Sequence, residues 1–425
     1  MISVILHKNH EKLTTMKILA TGDWHIGKVS HGYGRAEEHQ HFLNWLKEQA
    51  KENQADILLV TGDVFDTKDP TPLSQEIYYD FLDEVSQACP GLRIVIIAGN
   101  HDNPTLLEAP QSLLRRHQVE VRGTAAGCDE EDQSDSPLLI PLDNADGERA
   151  WIIAVPYLRR SDFKFDQSYE QSVADYLSAL VRAANRKKKE GEPVVMMAHL
   201  YASGSLKGND DDHSETIYVG GEPEIKMSSL TDRPDFLLSG HIHKRMPINN
   251  VPWAQYTGSA LPMSFTETNY AHGADLLVFE DGKDMVHTVL KYEPLYKFVS
   301  FGPDTPDEIV RKIKEELPRL DAHMFIQARV SLEKAEPETR AALEKLVDGI
   351  GAHFVYQPEI KESNDDGGTS AAISKPEDLS SDEIVREVIL RRFATANNRS
   401  GEILDDEEKA LLEEIITNAR GGQEE

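Results

Sequence analysis

Cysteine is almost absent from this 425-residue sequence: Cys89 and Cys128 stand far apart and form no CxxC pair. A disulfide framework and a zinc knuckle are therefore unsupported, and so little cysteine fits a reducing compartment, so a cytoplasmic location is expected. Long apolar runs are missing as well. No stretch approaches the roughly 20 residues of a transmembrane helix, and the apolar part of MISVILHKNHEKLTT is too short for a secretory signal, so no membrane partner is expected. Basic charge is the third shortage. Lys and Arg number 45 against 74 Asp and Glu, a net charge of −29. That excludes a general nucleic-acid-coating protein, which binds through a basic surface. It does not exclude chemistry on nucleic acid, because bound metal ions reset the local field of a cleft. Much of the excess acid lies in CDEEDQSD (128–135), NDDD (209–212) and the final third.

Five short apolar runs end in metal-type ligands. They are ILATGDWH (Asp23, His25), ILLVTGD (Asp63), IVIIAGNHD (Asn100, His101), VVMMAH (His199) and FLLSGHIH (His241, His243). A GD or GN dipeptide after an apolar run is by itself usually a turn, and a lone histidine at a strand end is more often a structural hydrogen-bonder. The ordered set is different. Strands deliver their last residues to one rim of a sheet, so five strands ending alike would gather these groups into one cavity. Two aspartates, an amide and three or four imidazoles are too many for one small cation. A carboxylate shared between two divalent ions resolves the count, and paired ions suit hydrolysis of a phosphate ester.

From Met16 to about Leu295, strand-like runs alternate with helical stretches, which predicts a layered α/β domain over 16–295. The first strand starts at Met16, so 1–15 read as an N-terminal extension and Met16 as a candidate start. Helices are predicted over EEHQHFLNWLKEQAK, with Phe42, Leu43, Trp45 and Leu46 apolar, and over PLSQEIYYDFLDEVSQA, with Leu73, Ile77, Phe81, Leu82 and Val85 at helical spacing. YTGSALPMSF, ADLLVFE and MVHTVLKY read as further strands. No internal repeat is present. Residues 296–360 spell a βαβαβ unit, its first helix opened by a Thr305 cap, Pro306 and a capping-box Glu308. Polar 361–378 reads as a flexible linker. Residues 379–425 carry two amphipathic helices that either fold back or dock in a partner's groove.

The motifs carry a resemblance. GDWHIGK (22–28), LLVTGDVFD (58–66), AGNHD (98–102), SGHIHK (239–244) and GSALPMSF (258–265) resemble the bacterial double-strand-break-repair nucleases within the calcineurin-like metallophosphoesterases. The likeness runs from Met16 to about Val355. It implies a two-sheet sandwich flanked by helices, a small α+β capping domain, and a C-terminal element docking on the coiled-coil base of an SbcC-type ATPase. It further implies a homodimer within a heterotetramer, paired through helices of the 73–88 region, whose apolar face is broad. One manganese would take Asp23, His25, Asp63 and His243; the other would take Asp63, Asn100, His199 and His241, with Asp63 bridging. His101 would face the scissile phosphate, and Asp102 would fix its ring. Archaeal and eukaryotic relatives carry a second histidine three residues after the bridging aspartate. This chain has Asp66 there, which supports the bacterial branch.

Three functions are compatible with these residues. The first is a Mn²⁺-dependent DNA nuclease, a 3′–5′ double-strand exonuclease and single-strand or hairpin endonuclease, acting on DNA ends with the ATPase. The second is a phosphomonoesterase or cyclic phosphodiesterase on the same metal core, which fold alone cannot separate from the first. The third is a metal-free scaffold, disfavoured because every ligand is present. Mixed oxygen and nitrogen ligands suit Mn²⁺, with Mg²⁺ the other candidate, better than a closed zinc site.

Overall fold

The computed structural model describes residues 15–360, apart from 165–166, 203–224, 281 and 333–336. The expected extension (except Thr15), the acidic run 209–212, linker 361–378 and helices 379–425 lie outside the described residues. Two six-stranded sheets form the centre. In the first, Val286–Lys291, Gly273–Glu280, Thr15–Thr21, Ile57–Val60, Arg93–Ile97 and Val119–Arg122 lie side by side, the last four parallel. In the second the order is Met246–Pro247, Ala254–Tyr256, Phe236–Gly240, Val194–His199, Arg149–Val155 and Leu139–Asp143, with the middle four parallel.

The strands are apolar at nearly every position because both of their faces are covered. Ile18, Ala20, Ile57, Leu59, Val95 and Ile97 of the first sheet pack with Ile152, Ala154, Val195, Met197, Phe236 and Leu238 of the second. The alternate residues Leu19, Leu58, Val60, Ile94 and Ile96 meet helices Ala36–Glu52 and Pro72–Ala88 through Phe42, Leu46, Ile77, Phe81 and Val85. On the far side, Ile153, Val194, Met196 and Leu237 pack on Val173, Leu177 and Leu180 of helix Tyr169–Lys187. The result is a helix–sheet–sheet–helix sandwich. Among the described residues no helix is long and apolar enough to cross a membrane.

Three readings of the sequence are corrected. The apolar face of Pro72–Ala88, expected to pair two subunits, is used inside the chain: Ile77, Tyr78, Phe81, Leu82 and Val85 are buried, and only Leu73 is exposed. YTGSALPMSF is strand only at its first residue, Tyr256, and then becomes loop, because its Ser259 and Ala260 N–H groups bond the His243 and Asp23 carbonyls at 3.0 and 3.2 Å and not a strand ladder. Thr305 makes no side-chain cap bond; Glu308 is drawn onto Arg311 instead.

Residues 297–360 form a parallel three-stranded sheet, Lys297–Asp304, Met324–Leu332 and His353–Ile360, with helices Pro306–Glu316 and Pro337–Asp348. Its small core contains Phe301, Ile309, Ile313, Ile326, Val330, Leu343 and Val347. Aromatic residues of this unit meet the sandwich at the Tyr33–Gly34 hairpin arm, where the Tyr33 ring stacks on His353 at 4.1 Å. Arg35 closes the seam. Only 2% exposed, it grips Glu38 with two nitrogens at 2.6 and 2.7 Å and donates to the Pro262 carbonyl at 2.5 Å. Its guanidinium lies 5.3 Å from the Phe298 ring. Removing one partner of a buried ion pair strands the other, so Arg35→Met should lower stability by about 3 kcal/mol, read from denaturant unfolding. Adding Glu38→Gln should recover part of that loss; no recovery would show that Arg35 acts by packing alone.

Candidate metal centre

The parallel strands of both sheets end at one rim, the usual crevice of such sheets. Thr15–Thr21 leads to Asp23 and His25, Ile57–Val60 to Asp63, and Arg93–Ile97 to Asn100 and His101. Val194–His199 ends on His199, and Phe236–Gly240 leads to His241 and His243. Asp23, His25 and Asp63 have φ of 48°, 49° and 48°, and His241 has 91°. Non-glycine residues there store about 1–3 kcal/mol each and persist only where surroundings over-determine them. Here hydrogen bonds do so. Asp23 N–H donates to the Gly62 carbonyl at 3.0 Å and His25 N–H to the Asp63 carbonyl at 2.9 Å. His241 N–H donates to Asp23 Oδ1 at 2.8 Å and His101 N–H to Asp63 Oδ1 at 2.9 Å. Gly62, at φ 97°, cannot carry a side chain, since a Cβ would lie 2.5 Å from His199 Nδ1.

The turned side chains converge. His25 Nε2 lies 3.2 Å from His243 Nε2 and 3.7 Å from Asp63 Oδ2. His199 Nε2 lies 3.4 Å from Asp63 Oδ2 and 2.8 Å from Asn100 Oδ1, which is also 3.0 Å from His241 Nδ1. Potential ligand atoms of Asp23, Asp63 and His199 fall within 4.8 Å of one another, as do those of His25, Asp63 and His101. Tyr157 and Tyr201 flank the cluster, 6.1 and 6.0 Å from the His199 and His241 rings.

Asp102 differs from expectation. It does not fix the His101 ring. Fully buried, its carboxylate takes the N–H groups of Val64, Phe65 and Gly99 at 3.1, 2.9 and 2.8 Å, binding the Asp63 loop to the Asn100 loop. The ring of His101 is held by the Asp66 carbonyl, 2.9 Å from Nδ1. Asp66, where archaeal and eukaryotic relatives carry an imidazole, so supports His101 through its backbone and turns its side chain toward His25. One acid was missed altogether. Glu267 lies 2.9 Å from His243 Nδ1, yet it comes 24 residues later in a polar loop, with no spacing to signal the contact.

Burial and neighbouring charge compete across the cluster. Burial, with Asp63 adding, raises the Asp23 carboxyl. Burial opposes charge on Asp63 too, but His199 and His25 outweigh it and hold that carboxyl far below the usual range. Burial works against a proton on His199, yet Asp63 and Asp23 push it up to about 9. Burial lowers His25. Burial and the Asp63 charge push Asp102 up to about 6 against its three N–H donors.

These residues fit divalent metal ions. Asp23 Oδ2 is buried with no protein hydrogen-bond partner, a costly arrangement unless a cation faces it. The donor set is two carboxylates, an amide oxygen and four imidazoles around Asp63, enough for a pair.

Fold and site together define a metallophosphoesterase. The sequence model of the calcineurin-like phosphoesterase family matches residues 16–245. The chain is 30% identical over 348 residues to the SbcD subunit of the SbcCD nuclease from Rhodobacter capsulatus, covering 79% of this chain and 85% of that one. With the SbcD subunit of Bacillus subtilis it shares 30% over 278 residues, 63% of this chain and 68% of the relative. With that of Escherichia coli K12 it shares 29% over 282 residues, 63% and 66%. The chain belongs to the calcineurin-like phosphoesterases and, among them, to the SbcD family of nuclease subunits.

A pH dependence follows from His199. Its folded pKa stands above the unfolded value, so its stabilising contribution is complete below about pH 6.5 and is lost as pH rises through about 9. In chelator the denaturation midpoint should therefore fall across that window. With Mn²⁺ added the decline should shrink, because the cation replaces the proton. A flat profile in chelator would contradict the Asp63–His199 coupling.

Proposed function

We propose that this chain is the nuclease subunit of a DNA-end-processing complex, hydrolysing DNA phosphodiesters with two Mn²⁺ ions, or Mg²⁺ in their place. Its partner would be an SbcC-type ATPase and its compartment the cytoplasm. The observation that carries the reading is the convergence of five strand-end motifs on Asp63, in a chain spanning 85% of a relative named as the SbcD subunit of the SbcCD nuclease. On this reading one ion lies among Asp23, His25, Asp63 and His243, and the other among Asp63, Asn100, His199 and His241. The inward-turned nitrogens of His25 and His243 support the first set. The shared approach of His199 and His241 to Asn100 supports the second.

When bound, such a pair supplies Lewis acidity that activates water and offsets charge developing on the phosphate. The chain supplies the rest. The His101 N–H bond to Asp63 and the Asp102 clamp fix the loops, so the donors need no rearrangement during reaction. His101 commits Nδ1–H to the Asp66 carbonyl, which leaves Nε2 for the substrate; with a second proton on Nε2 the ring stabilises the transition state or passes that proton to the departing sugar oxygen, returning to the neutral Nδ1–H form. The activities are 3′–5′ exonuclease on duplex ends and endonuclease on single strands and hairpins. A homodimer within a heterotetramer belongs to this reading through family resemblance alone, since the 73–88 face is occupied within the chain.

A phosphomonoesterase or cyclic phosphodiesterase would use the same centre. The βαβαβ unit favours the nuclease: it is seamed through Arg35 and Tyr33 to the segment that follows His25, an elaboration a small substrate does not require. The deciding assay sets a DNA hairpin against p-nitrophenyl phosphate in Mn²⁺, with and without an SbcC-type ATPase. Turnover of the small ester alone would overturn the nuclease reading.

Two substitutions separate binding from chemistry. Asp63→Ala should abolish metal retention and cleavage together; two ions retained at normal affinity would refute the bridge. His101→Leu should keep both ions while turnover falls by about 10²–10³-fold, and near-normal turnover would reduce His101 to a turn residue. Deleting 379–425 should spare Mn²⁺-dependent cleavage of single-stranded DNA and abolish ATP-dependent processing of duplex ends. Unchanged co-purification with the ATPase would remove the tail from the docking site.

A further inference from the structure

The two halves of the centre are backed by different groups. Glu267 Oε1 accepts the His243 Nδ1–H at 2.9 Å, while Oε2 takes the Met263 N–H at 2.7 Å. Only 2% exposed, this carboxylate has both oxygens committed and little freedom to move. His25 turns Nδ1 toward Asp66 Oδ1 at 3.4 Å, an oxygen also 3.2 Å from Lys28 Nζ. In the other half, His199 Nδ1–H donates to the Thr61 carbonyl at 2.9 Å. His25 and His243 thus each face a carboxylate from behind, whereas His199 is backed by a neutral amide.

A carboxylate behind an imidazole fixes the tautomer whose Nε2 lone pair points forward, and it makes that nitrogen a stronger donor to a cation. A peptide carbonyl fixes the tautomer but adds no net charge. We infer that Glu267 and Asp66 are positioning residues that make the His25–His243 cation position the tighter of the two. Glu267 dominates, since its contact is a full hydrogen bond and that of Asp66 is longer than one. The inference rests on the two-ion reading above.

The test is calorimetric titration of Mn²⁺ into the chelator-stripped full chain, with Mn²⁺ paramagnetic resonance to report paired ions. The wild type should bind two ions with unequal affinities, and His199→Ala should remove the weaker event. Glu267→Gln should weaken the tighter event by about 10–100-fold and leave the other unchanged, with Asp66→Asn giving about tenfold on the same event. The inference is overturned if Glu267→Gln titrates like the wild type, or if it shifts the event that His199→Ala removes. Should Glu267→Gln fail to fold, an Asp66→Asn variant with unchanged binding overturns it. A wild type that takes up no Mn²⁺ would sink the two-ion reading itself, which is a distinct result.

Discussion

The Asp63 carboxylate is the constraint on which the rest of the centre depends. Buried, with a left-handed backbone, it receives the His101 N–H and lies between His25 on one side and His199 on the other. Burial alone would neutralise it. The surrounding imidazoles keep it charged, and it in turn raises His199. A divalent cation would replace that shared proton with a fixed charge, so the cavity is arranged for cations.

Strain at Asp23, His25, Asp63 and His241 is sustained from behind the cleft. Asp102 is the main device: one buried carboxylate ties the Asp63 and Asn100 loops through three backbone donors. Asp66 divides its labour, with its carbonyl on His101 and its carboxylate near His25 and Lys28. The aspartate found where related nucleases carry an imidazole therefore does not leave His101 unsupported. The Asp66 backbone holds the His101 ring, and its side chain faces His25.

The segment after His25 also carries the link to the small β-sheet unit. Arg35 binds Glu38, the Pro262 carbonyl and the face of Phe298 at once, and Tyr33 stacks on His353. Pro262 belongs to the loop that leads on to Glu267, which backs His243. The seam and the centre thus share two loops.

Much of this was legible in the sequence because it is local. Apolar runs covered on both faces announce buried parallel strands, and ligand-type residues just past their ends must reach one rim when the strands are parallel. Helix Pro72–Ala88 was equally plain from its 3.6-residue period. What the period could not say is what covers its apolar face, and the chain's own sheet does so. The sequence alone determined the ligand-type residues at the strand ends and the layered fold, since both follow from periodicity and chain direction. Tertiary structure alone decided that Asp102 clamps backbone instead of His101, that Asp66 turns to His25, and that Glu267 backs His243. Those choices depend on which loops meet, across 24 residues for Glu267 and 38 for the bond from Val64 to Asp102. No local pattern encodes such a meeting.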